Sequence, residues 1–282
     1  MEKVLVLGNR GMLGHVLFDR LTTSYCAKDF EIIGINRSHS DQNSNVYVLD
    51  VLDSNALELF IGHHRPNYVI NCIGILIKDS LANPTIAIKI NALLPHFLNE
   101  MSEKYNFKFI HISTDCVFDG CRGHYIENDY PTETGMYGSS KKMGEIINER
   151  NLTIRTSIIG PELKSNHTGL LEWVFSNKGK VIDGYSRVFW SGLTTLELAD
   201  YIIWVLKNDI SGLVHATNNI SISKYELLNL INEIFELKLV IRENFSEIKD
   251  KSLVNTRIID YEFPVYRTML ANLESWMNKN IN

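Results

Sequence analysis

Six apolar, β-branched runs mark the first 160 residues: KVLVLG (3–8), EIIGIN (31–36), NVYVLD (45–50), NYVINCIG (67–74), FKFIHIST (107–114) and LTIRTSII (152–159). Between them apolar residues recur at spacings of three and four, as in Met12 to Leu21, Thr85 to Tyr105 and Met136 to Arg150. The first pattern predicts strands and the second helices. Continuous apolar strands separated by helices predict a parallel sheet covered on both faces, a doubly wound α/β fold.

Beyond Gly160 the pattern turns irregular, with a glycine- and aromatic-rich stretch, GYSRVFWSG (184–192), and then two helices. Thr194 with Glu197 and Ser223 with Glu226 have capping-box spacing, and apolar periodicity follows each. The expected organisation is a nucleotide-binding domain over 1–160 and a smaller, mainly substrate-binding lobe over 161–282. Part of 185–215 is free in this reading to return to the first domain.

The chain of 282 residues carries 28 basic and 33 acidic side chains, a formal net charge of -5, with no basic block to track a phosphate backbone. No nucleic-acid partner is expected. The N-terminus lacks a signal-peptide apolar stretch, and no segment has the length of a membrane span. Four cysteines, Cys26, Cys72, Cys116 and Cys121, show neither metal-type spacing nor the density of a disulfide scaffold. A reduced, cytoplasmic protein with no metal and no membrane partner is the expectation.

The first strand runs into Gly8-Asn9-Arg10-Gly11-Met12-Leu13-Gly14, a GxxGxxG loop opening a helix. Glycines there permit a tight turn against a diphosphate, and the helix start supplies free N–H groups. This places a dinucleotide at a Rossmann-type first turn. At the end of the second strand stand Asn36 and Arg37 rather than a carboxylate. Arg37 suits a 2'-phosphate and favours NADPH over NADH, unless it is an ordinary surface charge. Asp50 with Val51 is placed to meet the adenine, and Cys72, Ile73 and Gly74 to line the cofactor from the fourth strand; buried packing is the competing role for Cys72.

Residues 137–141 read YGSSK, with Tyr137 and Lys141 on one helical face. Tyrosine exchanges a proton with a substrate oxygen efficiently only if a cation lowers its value from about 10, and Lys141 stands one turn away to do so. STD (113–115) ends the fifth strand just before that helix.

GxxGxxG, NCIG (71–74), STDxVFDG (113–120), YGxSKxxGE (137–145) and RTSIIG (155–160) together resemble the extended short-chain dehydrogenase/reductases, and more narrowly the dTDP-4-dehydrorhamnose reductase branch. The resemblance runs from residue 3 to about 206. It implies NADPH-dependent reduction of a 4-keto group on a nucleotide-linked 6-deoxy sugar. Thr114 would hydrogen-bond the keto oxygen, Tyr137 would donate its proton, and Lys141 would assist Tyr137 and hold the cofactor. A homodimer through the long helices flanking the site is a habit of that family.

Two positions depart from the rhamnose-forming pattern: Cys116 stands where tyrosine is usual, and Ile158 where tryptophan is usual. LLEW (170–173) and WSGLTTLELA (190–199) are closer to a branch acting on UDP-linked 2-acetamido-2,6-dideoxy-4-keto sugars in surface polysaccharide synthesis. Asp115, Cys116, Ile158 and Trp190 are the candidate sugar-pocket residues, with Trp190 free either to stack on the substrate or to fill the lobe core. In related epimerase-reductases a cysteine at the Cys116 position works with a lobe histidine, roughly where His167 falls, to move protons beside the ketone. Cys116 is otherwise a small residue next to the sugar. A third reading is a cofactor-binding regulatory subunit without turnover.

Overall fold

The computed structural model describes residues 1–23, 28–38, 45–163 and 169–281. Its first half runs β1 (Glu2–Leu7), α1 (Gly14–Thr23), β2 (Phe30–Asn36), β3 (Val46–Val48), α2 (Ser54–His64), β4 (Tyr68–Asn71), α3 (Ile77–Ala82) and α4 (Pro84–Ala87). A π-helical turn over Ile88–Leu93 then leads into α5 (Leu94–Tyr105), followed by β5 (Lys108–Ile112), α6 (Met136–Met143) and β6 (Leu152–Arg155).

The second half contains β7 (Ile158–Ile159), α7 (Leu170–Ser176), β8 (Val181–Tyr185), β9 (Val188–Trp190), β10 (Leu193–Thr194), α8 (Thr195–Leu206) and β11 (Gly212–His215). After these come β12 (Ile222–Ser223), α9 (Lys224–Ile234), β13 (Val240–Asn244), β14 (Lys249–Asp250) and α10 (Tyr266–Asn280).

Seven strands form one sheet in the order β11-β6-β5-β4-β1-β2-β3, with every pairing parallel. The alternation of side chains explains why its strands read as unbroken apolar runs. Val4 and Val6 point into the layer holding α1 and α8, and Leu5 and Leu7 into the layer holding α2 and α5, all four fully buried. Each such side chain contributes about 1.5–3 kcal/mol of transfer free energy. The outermost strand, β11, comes from the second half of the chain and pairs with β6.

The remaining strands make three small sheets: β10 with β7, β12 with β9 and β14, and β13 with β8. Ser223 closes a full capping box with Glu226 at the start of α9, whereas Thr194 caps α8 through the Glu197 N–H alone. Among the described residues no helix is long and apolar enough to cross a membrane.

Two helices differ from expectation. The stretch 85–105 is broken by the π turn, and α6 stops at Met143 instead of continuing to Arg150. Both differences meet at one contact. A Cβ on Gly144 would lie 1.9 Å from the Asn91 carbonyl oxygen, so the chain leaves the helix where it crosses the π turn. Asn91 in turn holds the segment after β4, accepting from the Ile75 N–H at 2.8 Å and donating to the Ile75 carbonyl at 2.9 Å and to Ser140 Oγ at 3.1 Å.

Candidate active site

The turn after β1 and the segment after β5 both lie at the carboxyl edge of the sheet, where open parallel sheets bind ligands. At the first, α1 begins against the glycine turn itself. A Cβ on Gly14 would sit 2.0 Å from the Gly8 carbonyl oxygen, so only glycine lets the helix start there. Among the described residues, the amides of Met12 and Leu13 donate to no backbone carbonyl, which leaves N–H groups for an anion.

Asn36 Nδ2 donates to Asn9 Oδ1 at 3.0 Å, and this buried pair ties the turn to the end of β2. Arg10 and Arg37 are exposed beside it. The donor set therefore suits a pyrophosphate with an adjacent phosphomonoester, two anionic groups met by amides and guanidinium groups. Asp50 is exposed, with one carboxylate oxygen accepting from the Leu52 N–H at 3.0 Å, and Val51 is buried beneath it. Cys72 and Ile73 are half-buried next to Gly8, and Gly74 is exposed. Burial pushes the Cys72 thiol up to about 12, so it meets its neighbours as an uncharged thiol.

At the second turn, Thr114 caps a short 3-10 helix over Asp115–Val117, its hydroxyl accepting from the Cys116 N–H and donating to Asp115, each at 3.1 Å. Helix α6 lies directly on this turn. A Cβ on Gly138 would be 2.2 Å from the Cys116 carbonyl oxygen, which is why glycine follows Tyr137. That approach brings the Tyr137 phenol beside Thr114, close enough for the hydroxyl to act on it. Burial raises the phenol above its ordinary value, with Cys116 and Asp115 adding to the effect, so Tyr137 is protonated throughout the neutral range.

Lys141 is held by the backbone as well as by its helix. It shares the helical face, but its ammonium donates to the Ile112 carbonyl at 2.6 Å and faces His111 Nε2 at 3.5 Å, and it is not among the groups acting on Tyr137. Burial brings the lysine down to about 8, with Glu145 acting the other way. His111 is held well below its ordinary value by burial and by Lys141, and is neutral. The protein's own contribution at this end is a protonated phenol beside a threonine hydroxyl, with a desolvated cation anchored one turn away. That arrangement is chemically able to donate a proton to a carbonyl oxygen.

Burial also raises Asp115, and pushes the Cys116 thiol up to about 12 with Asp115 adding to it. Cys116 is thus a thiol and not a thiolate. Ile158 is half-buried in β7 opposite Leu193 of β10. Trp190 is 4% exposed and packs on Tyr266 with ring centroids 5.5 Å apart, so its ring is lobe core. His167 lies outside the described residues.

The family described as the RmlD substrate binding domain matches residues 1–253. The chain belongs to that family. It is 26% identical over 251 residues to the methionine adenosyltransferase 2 subunit beta of Bos taurus, covering 84% of this chain and 73% of that one. To the dTDP-4-dehydrorhamnose reductase of Aggregatibacter actinomycetemcomitans it is 26% identical over 238 residues, 80% and 76% of the two chains. The structure of dTDP-4-dehydrorhamnose reductase from Bacillus anthracis in complex with NADP superposes with a TM-score of 0.82 at 20% identity, over 98% of this chain and 99% of that one. The fold is the Rossmann-like α/β fold of those reductases.

Several residues of this RmlD-family site had no place in the sequence reading. Lys224 and Lys251, from the second half of the chain, both act on Asp115 and Cys116. Lys251 pairs with Glu133 at 3.2 Å, and Lys224 lies 5.2 Å from the centroid of the Trp190 ring. Lys224 directly follows the Ser223 cap, and a cation at the first position of a helix, against the helix dipole, was the available signal. Asn91 was likewise visible as a polar residue inside an apolar helical stretch.

Proposed function

We propose that this protein reduces the 4-keto group of a UDP- or dTDP-linked 4-keto-6-deoxy sugar with NADPH. The observation that carries the reading is the Tyr137 phenol, protonated and beside Thr114 at the carboxyl edge of the sheet, with Lys141 one turn along. Bound NADPH supplies the hydride. Thr114 would orient the carbonyl oxygen, Tyr137 would deliver the proton to that oxygen as the alkoxide develops, and Lys141, anchored on the Ile112 carbonyl, would help hold the cofactor. The free amides of Met12 and Leu13, with Arg10 and Arg37, support NADPH as the dinucleotide, as does the NADP in the Bacillus anthracis relative.

The protonated state of Cys116 speaks against its acting as a resting base in a coupled epimerisation, and makes simple reduction the better supported chemistry. The second reading, a cofactor-binding subunit without turnover, draws on the similarity to the methionine adenosyltransferase subunit. One assay separates them. Protein, NADPH and the 4,6-dehydratase products of UDP-GlcNAc and of dTDP-glucose are combined and absorbance at 340 nm is followed. A fall with either substrate is expected; none with both leaves the subunit reading.

A further inference from the structure

We propose that Lys224 is a specificity-determining residue of the sugar subsite, its ammonium donating to an oxygen substituent on the carbon beside the ketone. The inference deepens the reductase reading and rests on it.

Lys224 occupies a place that folding alone does not favour. It opens α9, where the partial positive charge of the helix start repels a cation. Lys224 is half-buried, and among the described residues its ammonium has neither a hydrogen bond nor an ion pair, so the protein supplies none of its three donors with an acceptor. What holds it is the face of Trp190, itself backed by Tyr266 and fixed in the lobe core. The other lysine facing this turn, Lys251, is engaged by Glu133. An unpaired cation on a rigid aromatic support is a feature that a ligand completes.

The direction in which Lys224 faces selects the part of the ligand. The groups its charge acts on are Asp115 and Cys116, the two residues after Thr114. Thr114 and Tyr137 mark the carbonyl at C4, and the substituents nearest that carbonyl belong to the neighbouring ring carbons. The diphosphate leaves from C1, across the ring. A lysine facing residues 115 and 116 therefore meets a substituent next to the ketone.

Isothermal titration of the protein saturated with NADP+ tests this, using UDP-GlcNAc and dTDP-glucose, which carry a hydroxyl at that carbon, beside UDP and dTDP. Lys224→Met and Lys224→Gln are expected to weaken the nucleotide sugar about tenfold or more while leaving the bare nucleotide within about twofold. Both variants are expected to melt at or above the wild-type temperature, because a half-buried cation without a protein acceptor is removed. Equal weakening of sugar nucleotide and bare nucleotide places the contact on the diphosphate and overturns the proposal. Unchanged sugar-nucleotide binding overturns it too, as does a variant that melts below the wild type, which marks a structural lysine. If the wild type binds no nucleotide sugar, the reductase reading itself falls, and the proposal with it.

Discussion

Lys141 and Lys224 approach the segment 112–117 from opposite halves of the molecule, and burial brings both down to about 8. They differ in what the fold provides for them. Lys141 lies in the last turn of α6, where the helix dipole favours a cation, and it has a backbone carbonyl at 2.6 Å and Glu145 nearby. Lys224 lies in the first turn of α9, where the dipole opposes it, with an indole as support and no acceptor among the described residues. The sheet domain thus completes its cation with its own backbone, while the second half of the chain leaves one with no acceptor among the described residues. Similar acidities conceal a cation already hydrogen-bonded by the backbone in one case and one without a protein acceptor in the other.

The strongest way to break this comparison is to remove the proton donor between the two lysines. Tyr137→Phe should lower kcat by about 10²–10⁴-fold with NADPH affinity little changed, as read by steady-state kinetics and fluorescence titration. A variant retaining wild-type kcat would show that the phenol is not the acid, and the roles of both lysines would need reassignment.

How much of this arrangement the chain announces depends on whether it is set locally. The strands could be read because an apolar run such as VLVL (4–7) is buried on both faces whatever surrounds it, and the Ser223 and Thr194 caps depend only on residues three positions away. The end of α6 could not be read, since Gly144 stops the helix by meeting Asn91 from a distant π turn. Trp190 was open between pocket and core, and only the packing of Tyr266 and Lys224 around it decides for the core. The action of Lys141 on Tyr137 was inferred from helical spacing, which fixes the face but not the carbonyl to which a long side chain reaches. Helix α10 carried no sequence expectation at all.

A pH profile sharpens the comparison on the Lys141 side. Its ammonium is present below about 8 and lost above, so kcat/KM with NADPH should fall above pH 8 by about tenfold per unit. Lys141→Met should give a lower profile without that limb. A wild-type profile level to pH 10 would show that the charge takes no part.

The smallest expected effect lies in stability. Both lysines have folded values, about 8, below the ordinary 10.5, so between those pH values the unfolded chain holds the extra proton. The resulting destabilisation is complete below pH 8 and fades as pH rises towards 10.5. Lys224→Met should therefore raise Tm by a few degrees at pH 7, on the order expected for about 1 kcal/mol, and the gain should vanish near pH 10.5. Lys141→Met should gain less at pH 7, because it also strips the Ile112 carbonyl of its donor. Equal gains would erase the distinction between the two sites.

The position of β11 governs how the molecule comes together during synthesis. Strand β6 leaves the ribosome with one edge unpaired, and its partner arrives only after everything from β7 to α8 has been made. Until then Leu152–Arg155, buried in the finished protein, present an open strand edge of the kind that recruits other chains. Cutting the chain after residue 160 would leave that edge uncovered, and a nascent chain halted before residue 215 would present the same edge to whatever chaperones surround it.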